Sequence, residues 1–369
     1  MINCLYANAA KECTGEKLMR IVTRPDFDGV VCAVLLFEAE NISAAVKWVS
    51  PNDMQQGLVE ILPGDIIANL PFDERCDLWF DHHFSNRIRR PFQGLFSMAP
   101  SAAGLVFKYY EGRFKRDYSE LVKETDKIDS ANLSLDEILF PERFPHVLLS
   151  MTIRSQVISD EFFWNHLVDL LRENDMEAVI SDPLVQERCD TVIQENQRYK
   201  ILLENHTVLK DRIAVTDFRG LDTMPQGNRF LVYSMFPDAH ANVIIGYQNE
   251  TRASVVIKVG HSILNQGCQV NIGQMLSYFE GGGHKGAGSC RFHHSNTDEY
   301  LNKILDILAK NEAEGSIVVK KERSQFDRRV LPDRRKENSR ADTAWKGVER
   351  RKLATRRVIP EPRKNWQGR

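Results

Sequence analysis

The feature that most constrains the fold is an apolar run that ends in three polar side chains. Leu78 to Phe80 are apolar, and Asp81, His82 and His83 follow directly. A short apolar run of this kind predicts a buried strand, and side chains just after such a strand meet at the carboxyl edge of a parallel sheet. Carboxylate and imidazole groups together suit Mn²⁺ or Mg²⁺. The segment therefore predicts a metal site, although adjacent histidines also occur in ordinary loops.

A second apolar run leads into a pair of aspartates. Ile21 and Val22 precede Asp26 and Asp28, and Gly29 permits the turn into an apolar, helix-like stretch. Side chains two apart in an extended segment share a face, so the two carboxylates can converge on one ion. Aspartates that cap a helix would give the same pattern.

A glycine-rich segment lies far downstream. Gly281, Gly282 and Gly283 are followed by His284 and Lys285. Consecutive glycines allow the backbone to approach an anion closely, and the two side chains add polar groups that can hold a phosphate. A flexible turn is the alternative interpretation.

The order of apolar runs predicts an α/β protein with two lobes. We expect a parallel-sheet domain at residues 1–145, a helical connector at 146–208, a smaller α/β domain at 209–312, and a basic, disordered tail at 313–369. The predicted strands are 21–22, 46–49, 65–68 and 78–80 in the first domain, and 213–215, 229–233, 241–245 and 253–259 in the second.

Charge divides the chain into an acidic body and a basic tail. Residues 320–369 hold 18 basic and 7 acidic side chains, which leaves 31 basic and 44 acidic in the rest. An acidic body does not offer the long basic groove of a nuclease on extended strands, so short phosphorylated substrates are favoured. The tail repeats pairs of arginines, which either keep the chain soluble or capture a polyanion near the site. If they capture one, deleting 320–369 should raise the apparent KM at low salt.

Other features exclude several classes of protein. The seven scattered cysteines form no Cys-x-x-Cys pair, so neither a disulfide scaffold nor a zinc knuckle is expected. No apolar run is long enough to span a membrane, and the first twenty residues lack the apolar stretch of a secretory signal. We expect a cytoplasmic protein without a membrane partner.

Three motifs together resemble the DHH phosphoesterase family with its DHH-associated C-terminal domain. They are DFDG at Asp26–Gly29, DHH at Asp81–His83 and GGGHKGAG at Gly281–Gly288, and the resemblance covers about residues 18–295. Relatives include RecJ-type exonucleases, nanoRNases, nucleotide bisphosphate and cyclic dinucleotide hydrolases, and polyphosphate-cleaving enzymes. The segment Gly260–Asn265 is closer to the branch often labelled exopolyphosphatase-related than to nanoRNases.

The resemblance implies a metal-dependent phosphohydrolase that cleaves phosphodiester or phosphoanhydride bonds of short substrates with metal-activated water. These would be short oligonucleotides, nucleoside bisphosphates, dinucleotides or polyphosphate. His83 and Asp81 would be catalytic, and one or two Mn²⁺ or Mg²⁺ ions are implied. Asp129 is the alternative to Asp126 as the last ligand. The implied metal ligands are Asp26, Asp28, Asp81, His82 and Asp126, and the implied substrate-binding residues are Arg24, Gly281, Gly282, Gly283, His284 and Lys285.

Two positions depart from the family pattern. Val22 stands where the family usually has a histidine, and Asn69 stands where it usually has a bridging aspartate. Losing an imidazole and a negative charge should weaken one cation site. The alternative function is therefore a catalytically weak nucleotide or polyphosphate sensor. The sequence leaves the oligomeric state open, a homodimer included.

Overall fold

The structure, a computed structural model, describes residues 19–154 and 160–313, and the predictions for the basic tail lie outside them apart from residue 313 itself. The helices are α1 (Phe27–Ala39), α2 (Pro51–Gln55), α3 (Ala102–Tyr109), α4 (Ser119–Asp129), α5 (Leu135–Leu139), α6 (Pro145–Thr152), α7 (Glu161–Glu173), α8 (Met176–Ser181), α9 (Pro183–His206), α10 (Leu231–Met235), α11 (Ile272–Ser277) and α12 (Thr297–Lys310). The strands are β1 (Arg20–Thr23), β2 (Lys47–Trp48), β3 (Asp65–Ala68), β4 (Leu78–Asp81), β5 (Gly94–Phe96), β6 (Thr207–Lys210), β7 (Ile213–Asp217), β8 (Ala241–Tyr247), β9 (Ser254–His261), β10 (Gly281–Gly283) and β11 (Ala287–His293).

The first sheet has five parallel strands in the order β2-β1-β3-β4-β5. Its central strand β3 is buried along its whole length. Ile66 packs in the core that contains α1, while its neighbour Ile67 packs with Trp79 in a second core on the other face. Burial on both faces explains why the three residues after Asp65 in β3 are all apolar rather than alternating with polar ones.

Helix α1 begins directly at the carboxyl end of β1. Asp26 is its N-cap, and the Asp26 side chain accepts a hydrogen bond from the Gly29 N–H. A Cβ on Gly29 would lie 1.9 Å from the Arg24 carbonyl oxygen, so a glycine is required where the helix passes over the loop. The helix is apolar on nearly every side because it is buried from Phe27 to Leu36.

The second sheet has six strands in the order β10-β11-β9-β8-β7-β6. Strands β7 and β8 are parallel and the other neighbours are antiparallel, so the sheet is mixed. Its core lies under α11 and α12, where Val255, Ile257 and Val259 alternate along β9 toward Ile304 and Leu308.

Helix α9 contributes to the cores of both lobes. Val185 and Val192 pack in the core of the first sheet, while Tyr199 and Leu203 pack with Ala214 of the second. The helical connector is therefore a shared structural element. Domain boundaries after residues 145 and 208 remain a proposal.

The predicted α/β fold class is confirmed for the described residues: a parallel five-stranded sheet, a helical middle and a mixed C-terminal sheet. One predicted strand is wrong. Residues 229–233 were expected to be extended, but Leu231–Met235 forms α10. Asn228 accepts a hydrogen bond from the Phe230 N–H, and Leu231, Val232 and Tyr233 are all buried, so tertiary packing overrides their strand propensity. No helix of the described residues is long and apolar enough to cross a membrane.

Candidate metal and phosphate site

The candidate site lies where the parallel strands of the first sheet end. Thr23 of β1 pairs with Ala68 of β3, and Ala68 pairs with Phe80 of β4. The residues that follow these strands are therefore neighbours: the Arg24–Asp28 segment, Asn69, and the Asp81–His83 segment. Parallel pairing explains why motifs far apart in sequence converge.

His82 is oriented with one ring nitrogen toward two carboxylates. Its Nδ1 lies 3.0 Å from the Ala99 carbonyl oxygen, which can only accept, so Nδ1 carries the proton and Nε2 has a free lone pair. Nε2 lies 3.3 Å from Asp129 Oδ2 and 3.7 Å from Asp28 Oδ2. It is buried and has no hydrogen-bond partner among the described residues. In the neutral ring, Nε2 and the two carboxylate oxygens are three acceptor atoms with no donor between them, an arrangement that fits a divalent cation.

Asp28 is held at the beginning of α3. Its carboxylate is almost completely buried, and it accepts hydrogen bonds from the N–H groups of Ala102 at 2.9 Å and Ala103 at 2.7 Å. The first N–H groups of a helix have no partner within the helix, so an aspartate there satisfies them and is fixed in turn.

The structure brings Asp129, rather than Asp126, to the cluster. Asp28, His82 and Asp129 offer ligand atoms within 4.8 Å of one another. The Asp126 Oδ1 instead accepts a hydrogen bond from Ser101 Oγ at 2.5 Å. Both aspartates lie on one face of α4, three residues apart, but only the last turn of the helix reaches His82. The geometry thus favours Asp129 over Asp126 as the last metal ligand.

The two carboxylates of this cluster have raised pKa values. Burial, followed by the negative charges of neighbouring aspartates, raises the pKa of both Asp28 and Asp129 to about 7. Carboxylates crowded in this way favour a proton when no other positive charge is present, and a cation would reverse that preference.

Asp81 forms a second candidate cluster with His82 and His83, but its oxygens already accept several hydrogen bonds. Oδ1 accepts from the N–H groups of both histidines and from the His83 ring at 2.7 Å, and Oδ2 accepts from Asn86 Nδ2 at 2.7 Å. Burial opposes the charged form of His83, yet the hydrogen bond to Asp81 and nearby negative charges raise its pKa overall. Asp81 is therefore arranged to orient His83 and favour its protonated form.

The glycine motif brings His284 of the second sheet to His83 of the first. The two imidazole rings have their centroids 5.4 Å apart. Burial, followed by the positive charges of His83 and Arg24, lowers the pKa of His284. These surroundings therefore favour the neutral form of His284.

The glycines serve close backbone packing. Gly281 to Gly283 form β10, and a Cβ on Gly273 would lie 2.2 Å from the Gly283 carbonyl oxygen. The carbonyl oxygens of His284 and Lys285 accept from the first N–H groups of α11. Lys285 is exposed, and its side chain makes no hydrogen bond or ion pair within residues 19–154 and 160–313.

Arg24 and Asp26 form an ion pair, with Nε 2.8 Å from Asp26 Oδ2. The other oxygen of Asp26 accepts from Asn69 Nδ2 at 2.9 Å and from Gly29. Asp26 is absent from the two clusters that could hold a metal among the described residues.

Several residues near the site were not identified from sequence. Asn86, Ala99 and Ser101 orient Asp81, His82 and Asp126, but isolated polar or backbone contacts give no sequence signal. Arg229, between β7 and α10, is a further residue of this kind. The residue is exposed, but partial desolvation lowers its pKa, and the charges of Asp129 and Arg24 act on it.

Comparison with known proteins supports the family resemblance through structure. No family model matches the sequence, and no curated protein matches it. A pGpG-specific phosphodiesterase, PggH from Vibrio cholerae, is 29% identical with a TM-score of 0.69, and the match covers 80% of this chain and all of that one.

RecJ from Thermus thermophilus, solved in complex with Mn²⁺, is 13% identical with a TM-score of 0.50. That match covers 80% of this chain and 53% of RecJ, and at this identity it bears on the fold alone. Over residues 19–154 and 160–313, this chain has the two-domain α/β fold of these structures and is structurally similar to the DHH phosphoesterase superfamily.

Proposed function

We propose that this chain is a divalent-cation-dependent phosphodiesterase that hydrolyses short phosphorylated substrates, with a linear dinucleotide such as pGpG as the first candidate. The observation that carries the proposal is the buried, unpartnered Nε2 of His82 facing Asp28 and Asp129. The activity of PggH and its full-length match support a dinucleotide, and the acidic body of this chain is in keeping with a small substrate.

Asp28, His82 and Asp129 would hold the cation. Mn²⁺ or Mg²⁺ bound there would act as a Lewis acid on the phosphoryl group and make water nucleophilic near neutral pH. The Ala99 carbonyl fixes the His82 tautomer, and the start of α3 fixes Asp28, so the ligands are oriented before binding.

The other residues would bind and orient the substrate. His83, whose protonated form Asp81 favours, can in that form donate a hydrogen bond to a phosphoryl oxygen or a proton to the leaving oxygen. His284 faces it from the second lobe, and Arg24 supplies a permanent positive charge. Gly281, Gly282, Gly283 and Lys285 are retained as proposed substrate contacts.

The test is nucleotide or phosphate release by the purified chain with Mn²⁺. The panel should contain pGpG, other linear dinucleotides, longer oligonucleotides, cyclic dinucleotides, nucleoside bisphosphate and polyphosphate. We expect turnover of a linear dinucleotide that is lost in His82→Ala. His293→Ala is the control, because His293 is exposed and contacts Ser295 rather than the site. Hydrolysis that survives His82→Ala would contradict the proposed site.

The sensor alternative is favoured by the engagement of Asp26 with Arg24 and Asn69, which leaves fewer free ligands than a two-cation site needs. Binding of pGpG without turnover, and without dependence on Mn²⁺, would support the sensor.

A further inference from the structure

Asp26 was expected to bind metal together with Asp28, but its carboxylate is already occupied by groups of the protein. Oδ1 accepts hydrogen bonds from the Gly29 N–H and from Asn69 Nδ2, both at 2.9 Å. Oδ2 lies 2.8 Å from Arg24 Nε. Two hydrogen bonds to Oδ1 and an ion pair at Oδ2 engage both oxygens, and the guanidinium charge opposes a cation beside them.

Asn69 is placed so that an amide, not a carboxylate, faces Asp26. It follows β3, is almost completely buried, and has a positive φ of 57°, a conformation that asparagine tolerates better than most residues. An aspartate there would oppose the Asp26 charge and require a cation between them, whereas the amide donates to Asp26 without one. The remaining Asn69 Oδ1 is buried and unpartnered, but a neutral oxygen adds no charge to hold a cation.

Arg24 carries the positive charge at this end of the site. Its side chain is about one-third exposed, and Asp26 is its ion-pair partner. Among the described residues, its terminal guanidinium nitrogens make no hydrogen bond, so they are free to bind an anionic oxygen. Its neighbours in space include His83 and His284, whose charges it influences.

We infer that Asp26 is a positioning residue rather than a metal ligand. Together with Asn69, it holds the Arg24 guanidinium as a fixed positive charge that binds a phosphoryl oxygen. The chain then binds one divalent cation, at Asp28, His82 and Asp129. The inference rests on the proposed function for its substrate and cation. A permanent guanidinium beside Asp26 repels a second cation and replaces its charge.

The experiment measures Mn²⁺ binding to the full chain by equilibrium dialysis, without substrate. Asp26→Asn and Asp28→Asn form a matched pair, because the same change is made two residues apart. We expect one tight Mn²⁺ per wild-type chain, a change of less than about threefold in affinity for Asp26→Asn, and a loss of about 100-fold for Asp28→Asn. Two tight ions in the wild type, or equal losses in both variants, would overturn the inference.

The double variant Arg24→Gln/Asn69→Asp provides a test by gain of binding. We expect it to bind a second Mn²⁺, because two facing carboxylates without the guanidinium attract a cation, whereas Arg24→Gln/Asn69→Ala should still bind one. A single ion in Arg24→Gln/Asn69→Asp, with thermal unfolding showing a folded protein, would count against the inference.

The variant Arg24→Gln separates substrate binding by Arg24 from cation binding by the other residues. It should leave Mn²⁺ affinity within about threefold and raise KM for pGpG by about tenfold, because hydrogen bonds to charged groups contribute that much to binding. An unchanged KM would reject the role of Arg24. If Asp28→Asn leaves Mn²⁺ binding unchanged, the cation site of the proposed function itself fails, which is a different outcome from equal losses at Asp26 and Asp28.

Discussion

At the scale of single residues, the choice between Asp126 and Asp129 shows where sequence information ends. The two lie three positions apart on α4, so both face the same direction, and their residue type is identical. Only the distance along the helix axis separates a residue that reaches His82 from one that reaches Ser101. The sequence likewise predicts Asp26 as a metal ligand, because the contacts of its carboxylate with Arg24 and Asn69 form only in the folded chain.

Asp129→Asn should weaken Mn²⁺ binding by about 100-fold, because it removes a charged ligand. Asp126→Asn is the matched control on the same helix, and it should leave the affinity within about threefold because the amide oxygen can still accept from Ser101. Calorimetric titration with Mn²⁺ would measure both. A larger loss in Asp126→Asn would restore Asp126 as the ligand.

The pH dependence of cation binding follows from the raised pKa values of Asp28 and Asp129, both about 7. Without metal, the folded state retains protons that the unfolded chain loses near pH 4, so these two carboxylates make the fold less stable as pH rises from about 4 to about 7. A cation must displace those protons below pH 7.

We therefore expect Mn²⁺ to bind about tenfold or more weakly at about pH 6 than at about pH 8. The Mn²⁺-induced rise in Tm should accordingly be larger at the higher pH. Thermal unfolding with and without Mn²⁺ at both pH values measures this rise in Tm. A rise in Tm that is the same at both would show that the carboxylates are already ionised at the lower pH.

At the scale of elements, apolar runs predicted most of the strands that form the site. β3 coincides with its predicted range, and β1 and β4 end where the predicted ligands begin. The prediction of a strand at residues 229–233 is wrong because a local run of strand-favouring residues can also form a short buried helix. The role of α3 was not predicted, since its contribution is made by backbone N–H groups of two alanines.

Loss of the N-terminal cap of α3 should lower both the stability of the fold and its affinity for Mn²⁺. Ser101 Oγ accepts from the Gly104 N–H at 2.9 Å and donates to Asp126. Ser101→Ala should cost about 1–2 kcal/mol of stability, because it removes a helix cap. It should also weaken Mn²⁺ binding by about tenfold, because the N–H groups that orient Asp28 shift.

Ser134→Ala is the matched control for this prediction. Ser134 caps α5 in the same manner, with Glu137 completing a capping box, but α5 contributes no ligand to the cluster. Urea unfolding should show a similar loss of stability in both variants, while Mn²⁺ titration should show weaker binding in Ser101→Ala alone. Equal Mn²⁺ affinities would mean that α3 does not orient Asp28.

At the scale of the whole molecule, the site is completed by residues from both lobes. His83 follows β4 of the first sheet, His284 follows β10 of the second, and Arg229 lies in the loop before α10. A lone arginine at the start of a predicted strand has no sequence signal of its own, because its nearness to the charges of Asp129 and Arg24 arises only in the folded chain. The shared core around α9 provides the rigid support for this arrangement.

Arg229→Gln should raise KM for pGpG by about tenfold, because a charged hydrogen bond to a phosphate would be lost. Mn²⁺ affinity should not fall, since removing a positive charge near Asp129 does not disfavour a cation. Arg252→Gln is the control, because Arg252 is an exposed arginine of the same lobe whose ion-pair partner is Asp222. Steady-state kinetics at saturating Mn²⁺ would separate the two variants. If Arg229→Gln and Arg252→Gln have the same KM, substrate is bound by the first lobe and His284 without Arg229, and the second lobe contributes less to recognition than its contacts indicate.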